Sequence, residues 1–299
     1  MLEAYTLRAL SGRWCKYCQV ILGILNMNIS YKYCDQGGFV KILESLELEL
    51  PYISEVNDPL ECKPYIDKQG GITAMEEQCL RSFRRNDKEP SANWRQILQN
   101  KYQKGGDSKL QKEIAGCIDD MKQKSCLLSV SKEARSSVMW AHYADKHTGG
   151  VIGIDLDNIF PGFGINMEHV DYSTQRPKLN IWDDFCSREF KEKYFKTLIT
   201  KSSEWKYEEE FRNVFDDADL TDLEKDALAC LKDFNCKKTW FLRLNPELIR
   251  EVLFGLFTED SLKKEVRNLI KRPELQHIKL YQVEESETYI LNLVEIKNR

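Results

Sequence analysis

Apolar residues between Ser136 and Asp155 recur first at helical spacing and then in an unbroken run. Met139, Trp140, Tyr143 and Ala144 fall three and four residues apart, which marks one face of a helix. Gly149 and Gly150 end that pattern, and the β-branched run Val151 to Ile154 predicts a buried strand after a tight turn. A second stretch, KSSEWKYEEEFRNVF at 201–215, turns apolar at Phe211, Val214 and Phe215. It predicts a strand in which Glu208 and Glu210 share one face and Glu209 takes the other.

The same reading extends along the chain. NISYKYC predicts a strand, FVKILESLELEL a short amphipathic helix running into a strand, and Val56-Asn57-Asp58-Pro59 a turn. Residues 74–124 predict a helical insert of two or three helices, interrupted at 104–107. Strands are expected at 126–131 and 168–172, helices at about 184–200, 220–234 and 259–271, and strands in KKTWFLRL, EVLFGLF, HIKLYQV and TYILNLVEI. The fold class is α+β (mixed α/β), with small mixed sheets and a helical insert. A single domain is expected over 27–299, preceded by an N-terminal extension at 1–26 that stands apart from the core.

Composition narrows the functional classes. With 42% hydrophobic and 31% charged residues over 299 positions, the chain is globular rather than disordered. A formal net charge of −4 gives no global electrostatic case for nucleic-acid binding. Arg81, Arg84, Arg85, Lys88 and Arg95 form the densest basic cluster, either a solvated face or a place for a phosphate-bearing partner. The apolar run VILGIL at 20–25 is far shorter than the ~20 residues a membrane span needs, so no membrane partner is expected. Ten scattered cysteines without a recognisable signal peptide suggest reduced thiols and a cytoplasmic location. Cys15 and Cys18 form the single metal-like pair, and no second pair completes a zinc site, so no metal is expected.

The candidate chemistry gathers at two places. His142 and Tyr143 sit on the last turns of the central helix, with His147 just beyond. They can cap and pack there, a role a histidine near a helix C-terminus favours. Glu208 and Glu210 entering a strand can aim two carboxylates at one ligand, or they can pair with Lys201, Lys206 and Arg212 as a charged network.

MWAHYADKHTGGVIGID, followed by Lys201, Trp205, Tyr207, Glu208, Glu210 and Arg212 in their present spacing, resembles the bacterial family catalogued as domain of unknown function 2971. YKY at Tyr31 to Tyr33 and VNDPLEC at Val56 to Cys62 fit the same resemblance, which covers roughly residues 27–295. The family carries no assigned activity. The order of a Tyr-Lys-Tyr strand, helix, strand and late Glu-x-Glu strand is also similar to the ADP-ribosyltransferase superfamily. Lys32 stands where that superfamily carries Arg or His, and no Ser-Thr-Ser element is found.

That second similarity implies roles for Glu210, Glu208, Tyr143 and Tyr31 or Lys32, and together with the motifs above it gives a candidate site with Glu210, Glu208, Tyr143 and His142 in catalytic roles. Glu210 would be the principal carboxylate, and Tyr143 would stack on a nicotinamide. Tyr31, Lys32, Asn57, Asp58, Lys201, Trp205 and Arg212 would hold the ligand. NAD would be consumed as substrate, no tightly held cofactor is implied, and the setting would be bacterial stress or phage defence. Two alternatives stand beside this enzyme: a non-enzymatic nucleotide- or protein-binding module of a defence locus, and a metal-dependent nuclease using Asp58, Glu61, His142 and Glu210.

Overall fold

Eight strands build the principal sheet of the computed structural model, which describes residues 29–67, 71–103, 106–156, 167–180, 183 and 187–297. The N-terminal extension and the Cys15–Cys18 pair lie outside the described residues. The strand order across the sheet is Asn292–Ile296, Lys279–Glu284, Ile249–Phe254, Gly150–Asp155, Ile29–Cys34, Ser125–Ser131, Glu210–Asp216 and Glu168–His169. Ile249–Phe254 and Lys279–Glu284 run parallel, and the other partners of Ile249–Phe254 and Ile29–Cys34 are antiparallel. The mixed sheet makes this an α+β fold, and its width exceeds the small sheets expected from the sequence. The strands Glu47–Leu50, Lys237–Arg243 and Ala229–Phe234 form a second, antiparallel sheet.

The chain divides into two compact units. The first takes residues up to Pro51, Cys126–Val170 and Glu204–Arg299, and holds both sheets just described. Its helix Gln36–Ser45 is capped by Asp35, whose side chain accepts a hydrogen bond from the Gly38 amide at 2.7 Å. The fully buried Phe39 meets Phe254 edge to face at a centroid distance of 6.0 Å. The second unit takes Tyr52–Ser125 and Asp171–Ser203. It contains the helices Gly71–Arg85, Trp94–Gln103 and Gly106–Gln123 and the helix Arg188–Leu198, whose N-cap Ser187 accepts from the Phe190 amide at 3.1 Å.

The helix Ser137–Tyr143 and the strand Gly150–Asp155 form as the sequence pattern predicts. Between them the chain turns by another route than glycine. Asp145, Lys146 and His147 all adopt positive φ, at 47°, 55° and 71°. Gly149 and Gly150 serve close packing instead: a Cβ on Gly149 would lie 2.2 Å from the Cys34 carbonyl oxygen, and one on Gly150 would lie 2.3 Å from the Phe39 ring.

The segment 220–234 is not one helix. It is the end of a helix, Asp217–Lys225, followed by the strand Ala229–Phe234. Asn235 and Cys236, with φ of 50° and 63°, join that strand to Lys237–Arg243 in a two-residue hairpin turn. Such a turn requires positive φ at both central positions, which Asn tolerates better than most residues. Similarly, the expected strand at 168–172 is divided at Val170: Glu168–His169 pairs with Glu210–Asp216, while Asp171–Ser173 pairs with Thr200–Ser202.

Candidate functional site

Glu208, Glu209 and Glu210 do not enter a strand together. Ser203–Glu208 is a 3₁₀ turn, Glu209 takes a left-handed φ of 42°, and the strand begins at Glu210. The left-handed residue leaves Glu209 exposed while Glu208 and Glu210 are both buried. The end of the Ser125–Ser131 strand fixes the turn. Ser131 Oγ donates to the Glu208 carbonyl at 2.6 Å, and the Lys132 amide donates to the Glu209 carbonyl at 3.1 Å.

The two buried carboxylates then have different partners. Tyr143 Oη donates to Glu208 Oε1 at 2.5 Å, which ties the end of the central helix to the turn. Glu210 receives Arg212 in a fork: Nε donates to Oε1 at 3.0 Å and Nη2 to Oε2 at 2.6 Å. Glu210 and Arg212 lie two positions apart on the same strand, so they share a face, and the Arg212 side chain is 0% exposed. A buried guanidinium needs such a bidentate partner to offset its desolvation.

A run of four rings borders these carboxylates. Trp205 lies 6.0 Å from Tyr207, Tyr207 lies 6.1 Å from His142, and His142 lies 6.2 Å from Tyr143, centroid to centroid. Trp205, Tyr207 and Tyr143 are half-buried and His142 is exposed, so the run has an open side. His147 is set apart from it. It is buried, stacks on Trp140 at 6.1 Å with an interplanar angle of 12°, and burial lowers its pKa.

Of the residues proposed to hold a ligand, Lys32 donates through Nζ to the Ser129 carbonyl at 3.1 Å. Tyr31, on the same strand, is half-buried and lies across Gly153 from Glu251. Asn57, Asp58 and Lys201 belong to the second unit. There Asp58 Oδ1 accepts from the Leu60 amide at 2.8 Å, the local turn its sequence predicts, and Lys201 pairs with the buried Glu61 at 3.5 Å. Among the described residues, no group of three or more His, Cys, Asp or Glu could hold a metal ion. No helix among them is long and apolar enough to cross a membrane.

One pair escaped the sequence reading. Glu251 and Tyr281 lie with Tyr31 on a face of the principal sheet. Burial raises the pKa of all three, and the neighbouring carboxylates push both phenols further up. The available signal was a single carboxylate in the strand IREVLF, set beside a central strand, VIGID, that carries a glycine.

The first unit thus combines a mixed sheet, a short helix with a tyrosine at its end, and a buried glutamate turn that receives it. Residues 139–213 match the sequence model of a family described as a protein of unknown function (DUF2971). The match runs from the central helix through the Glu210–Arg212 strand, so the family resemblance read from the residues is borne out over that segment. No curated protein and no solved structure matches the chain.

Proposed function

We propose that the first unit binds a small molecule with a planar heteroaromatic ring, a nucleotide such as NAD, on the ring run Trp205, Tyr207, His142 and Tyr143. The observation that carries this reading is the run itself: four rings spaced 6.0 to 6.2 Å apart, open on one side. Every nucleobase and the nicotinamide present a π-face, and stacking one on an aromatic side chain contributes ~1–3 kcal/mol. The buried Glu208 anchors the Tyr143 end of the run through its hydrogen bond, which reduces the entropy lost on binding.

A second reading is the catalytic form of the first, an ADP-ribosyltransferase-like enzyme that consumes NAD. The 2.5 Å contact between Tyr143 and Glu208 favours it, because it sets a carboxylate directly behind a ring that can stack on nicotinamide. In that reading Glu208 replaces Glu210 as the working carboxylate, since Arg212 already engages both Glu210 oxygens. The stress or phage-defence setting rests on the family resemblance alone, and plaque assays in cells carrying or lacking the gene test it.

Calorimetric titration with NAD, ATP and GTP separates the readings. Binding that Tyr207→Ala weakens about tenfold, with NAD recovered intact, supports the binding module. NAD consumption abolished by Glu208→Gln in a folded protein supports the enzyme. Failure of all three nucleotides to bind would sink both.

A further inference from the structure

Glu251 occupies a position where a sheet rarely holds a carboxyl. It lies in the strand Ile249–Phe254, directly across from Gly153, and Gly153 lies across from Tyr31 on the next strand. Glycine inside a central strand weakens it and often marks a close approach. Here a Cβ on Gly153 would stand 2.5 Å from Glu251 Cγ, so the bare backbone is what admits the Glu251 side chain onto the sheet face.

The groups around it are built for neutral hydroxyls. Tyr31 faces Glu251 across Gly153, near enough for the two to act on each other, and a carboxylate has acceptor positions beyond the one a single phenol uses. Tyr281 lies on the adjacent strand, and its hydroxyl makes no hydrogen bond to another described residue, which leaves a donor and an acceptor on offer. Lys279 pairs with Glu251 in register, and Glu295 pairs with Tyr281. Phosphate does not suit this arrangement, because Glu251, Glu295 and Glu133 all bear on the two phenols and Lys279 is the cation acting on Glu251. A carboxylate with two acceptor oxygens, flanked by phenol donors and ring faces, suits adjacent hydroxyl groups on a sugar.

We propose that Glu251, Tyr31 and Tyr281 form a subsite for the vicinal hydroxyls of a sugar, the ribose of the nucleotide that the ring run takes up. The identity of that sugar rests on the function proposed above; the diol chemistry rests on these three residues. Tyr31 and Tyr281 pack against the same buried cluster as Tyr143 and Tyr207, around Trp140, Val151 and Leu253. The subsite and the ring run therefore border one apolar platform.

Titrations of adenosine and 2′,3′-dideoxyadenosine into the full chain, with methyl β-D-ribofuranoside followed by NMR of the tyrosine rings, test the proposal. The expected result is that dideoxyadenosine binds about tenfold or more weakly than adenosine, and that Glu251→Gln removes the difference. The riboside should perturb the Tyr31 and Tyr281 rings in the wild-type chain and not in Glu251→Gln. Tyr281→Phe, which keeps the ring, should reduce the same preference if Glu251→Gln proves poorly folded. If neither nucleoside binds but the riboside still perturbs those rings in a Glu251-dependent way, the diol subsite stands and the ring-run reading fails. Equal affinity for the two nucleosides, or a riboside response absent in wild type or unchanged in Glu251→Gln, overturns the subsite.

Discussion

Glu210 and Glu251 are both carboxylates on strands of one sheet, yet their surroundings assign them opposite work. Glu210 is buried against an arginine that is itself 0% exposed and that engages both of its oxygens. Glu251 is half-buried, lies beside the Tyr31 phenol, and has its pKa raised chiefly by desolvation. A fully engaged, sealed ion pair belongs to the architecture, whereas a half-open carboxyl held away from its ordinary pKa is where ligand chemistry is sought. The glutamate that motif reasoning put first is thus held in an ion pair, and the one it passed over is the half-open carboxyl on which the proposed subsite is built.

The comparison breaks most sharply at Glu210. Replacing it with Gln takes from the buried Arg212 the carboxylate that engages it bidentately, and loss of one partner from a buried pair costs ~3–5 kcal/mol. Chemical denaturation of Glu210→Gln should show that loss through a lower midpoint at unchanged slope. A variant as stable as wild type would show that the fork contributes nothing and would reopen Glu210 as a functional carboxylate.

Tyr143→Phe should give a smaller effect. It removes the donor at 2.5 Å from Glu208 while keeping the ring, and leaving a buried acceptor short of a partner costs ~1–3 kcal/mol. The same substitution keeps the stacking surface, so ligand affinity should change little. A loss of nucleotide affinity without loss of stability would move the Tyr143 hydroxyl from the scaffold into the site.

Much of this architecture was legible in the chain. Met139, Trp140 and Tyr143 at helical spacing, followed by the Val151–Ile154 run, specify the helix and the central strand because one period changes cleanly into the other. Illegible features were those set by single backbone angles or by distant partners. The left-handed φ at Glu209 keeps Glu208 out of the strand that an apparently regular Glu-x-Glu pair would enter, and the positive angles at Asn235 and Cys236 turn a stretch that reads as helix into a hairpin. The Tyr31, Glu251 and Tyr281 group depends on register across four strands, from Ile29–Cys34 through Gly150–Asp155 and Ile249–Phe254 to Lys279–Glu284. No local pattern carries that register. The four-ring run is intermediate: Trp205, Tyr207, His142 and Tyr143 were all singled out or quoted, but only the 3₁₀ turn at Ser203–Glu208 brings the two segments side by side.

The smallest effect belongs to Glu251 and shows in the shape of a pH profile. Its carboxyl titrates above the ordinary value of 4.5 in the folded chain, so between that value and its folded pKa the native state holds more of the proton than the unfolded state does. Stability from this group is therefore fully present below the unfolded value and is lost as pH rises through the folded one. Because Glu251 is partly solvated, the amplitude should stay below about 1 kcal/mol. Glu251→Gln removes the titration, so the difference in unfolding free energy between wild type and variant should drift in favour of the variant as pH is raised from 4 to 7. A pH-independent Glu251→Gln difference would mean that the carboxyl is not held away from water, and the contrast between the two glutamates would then rest on Arg212 alone.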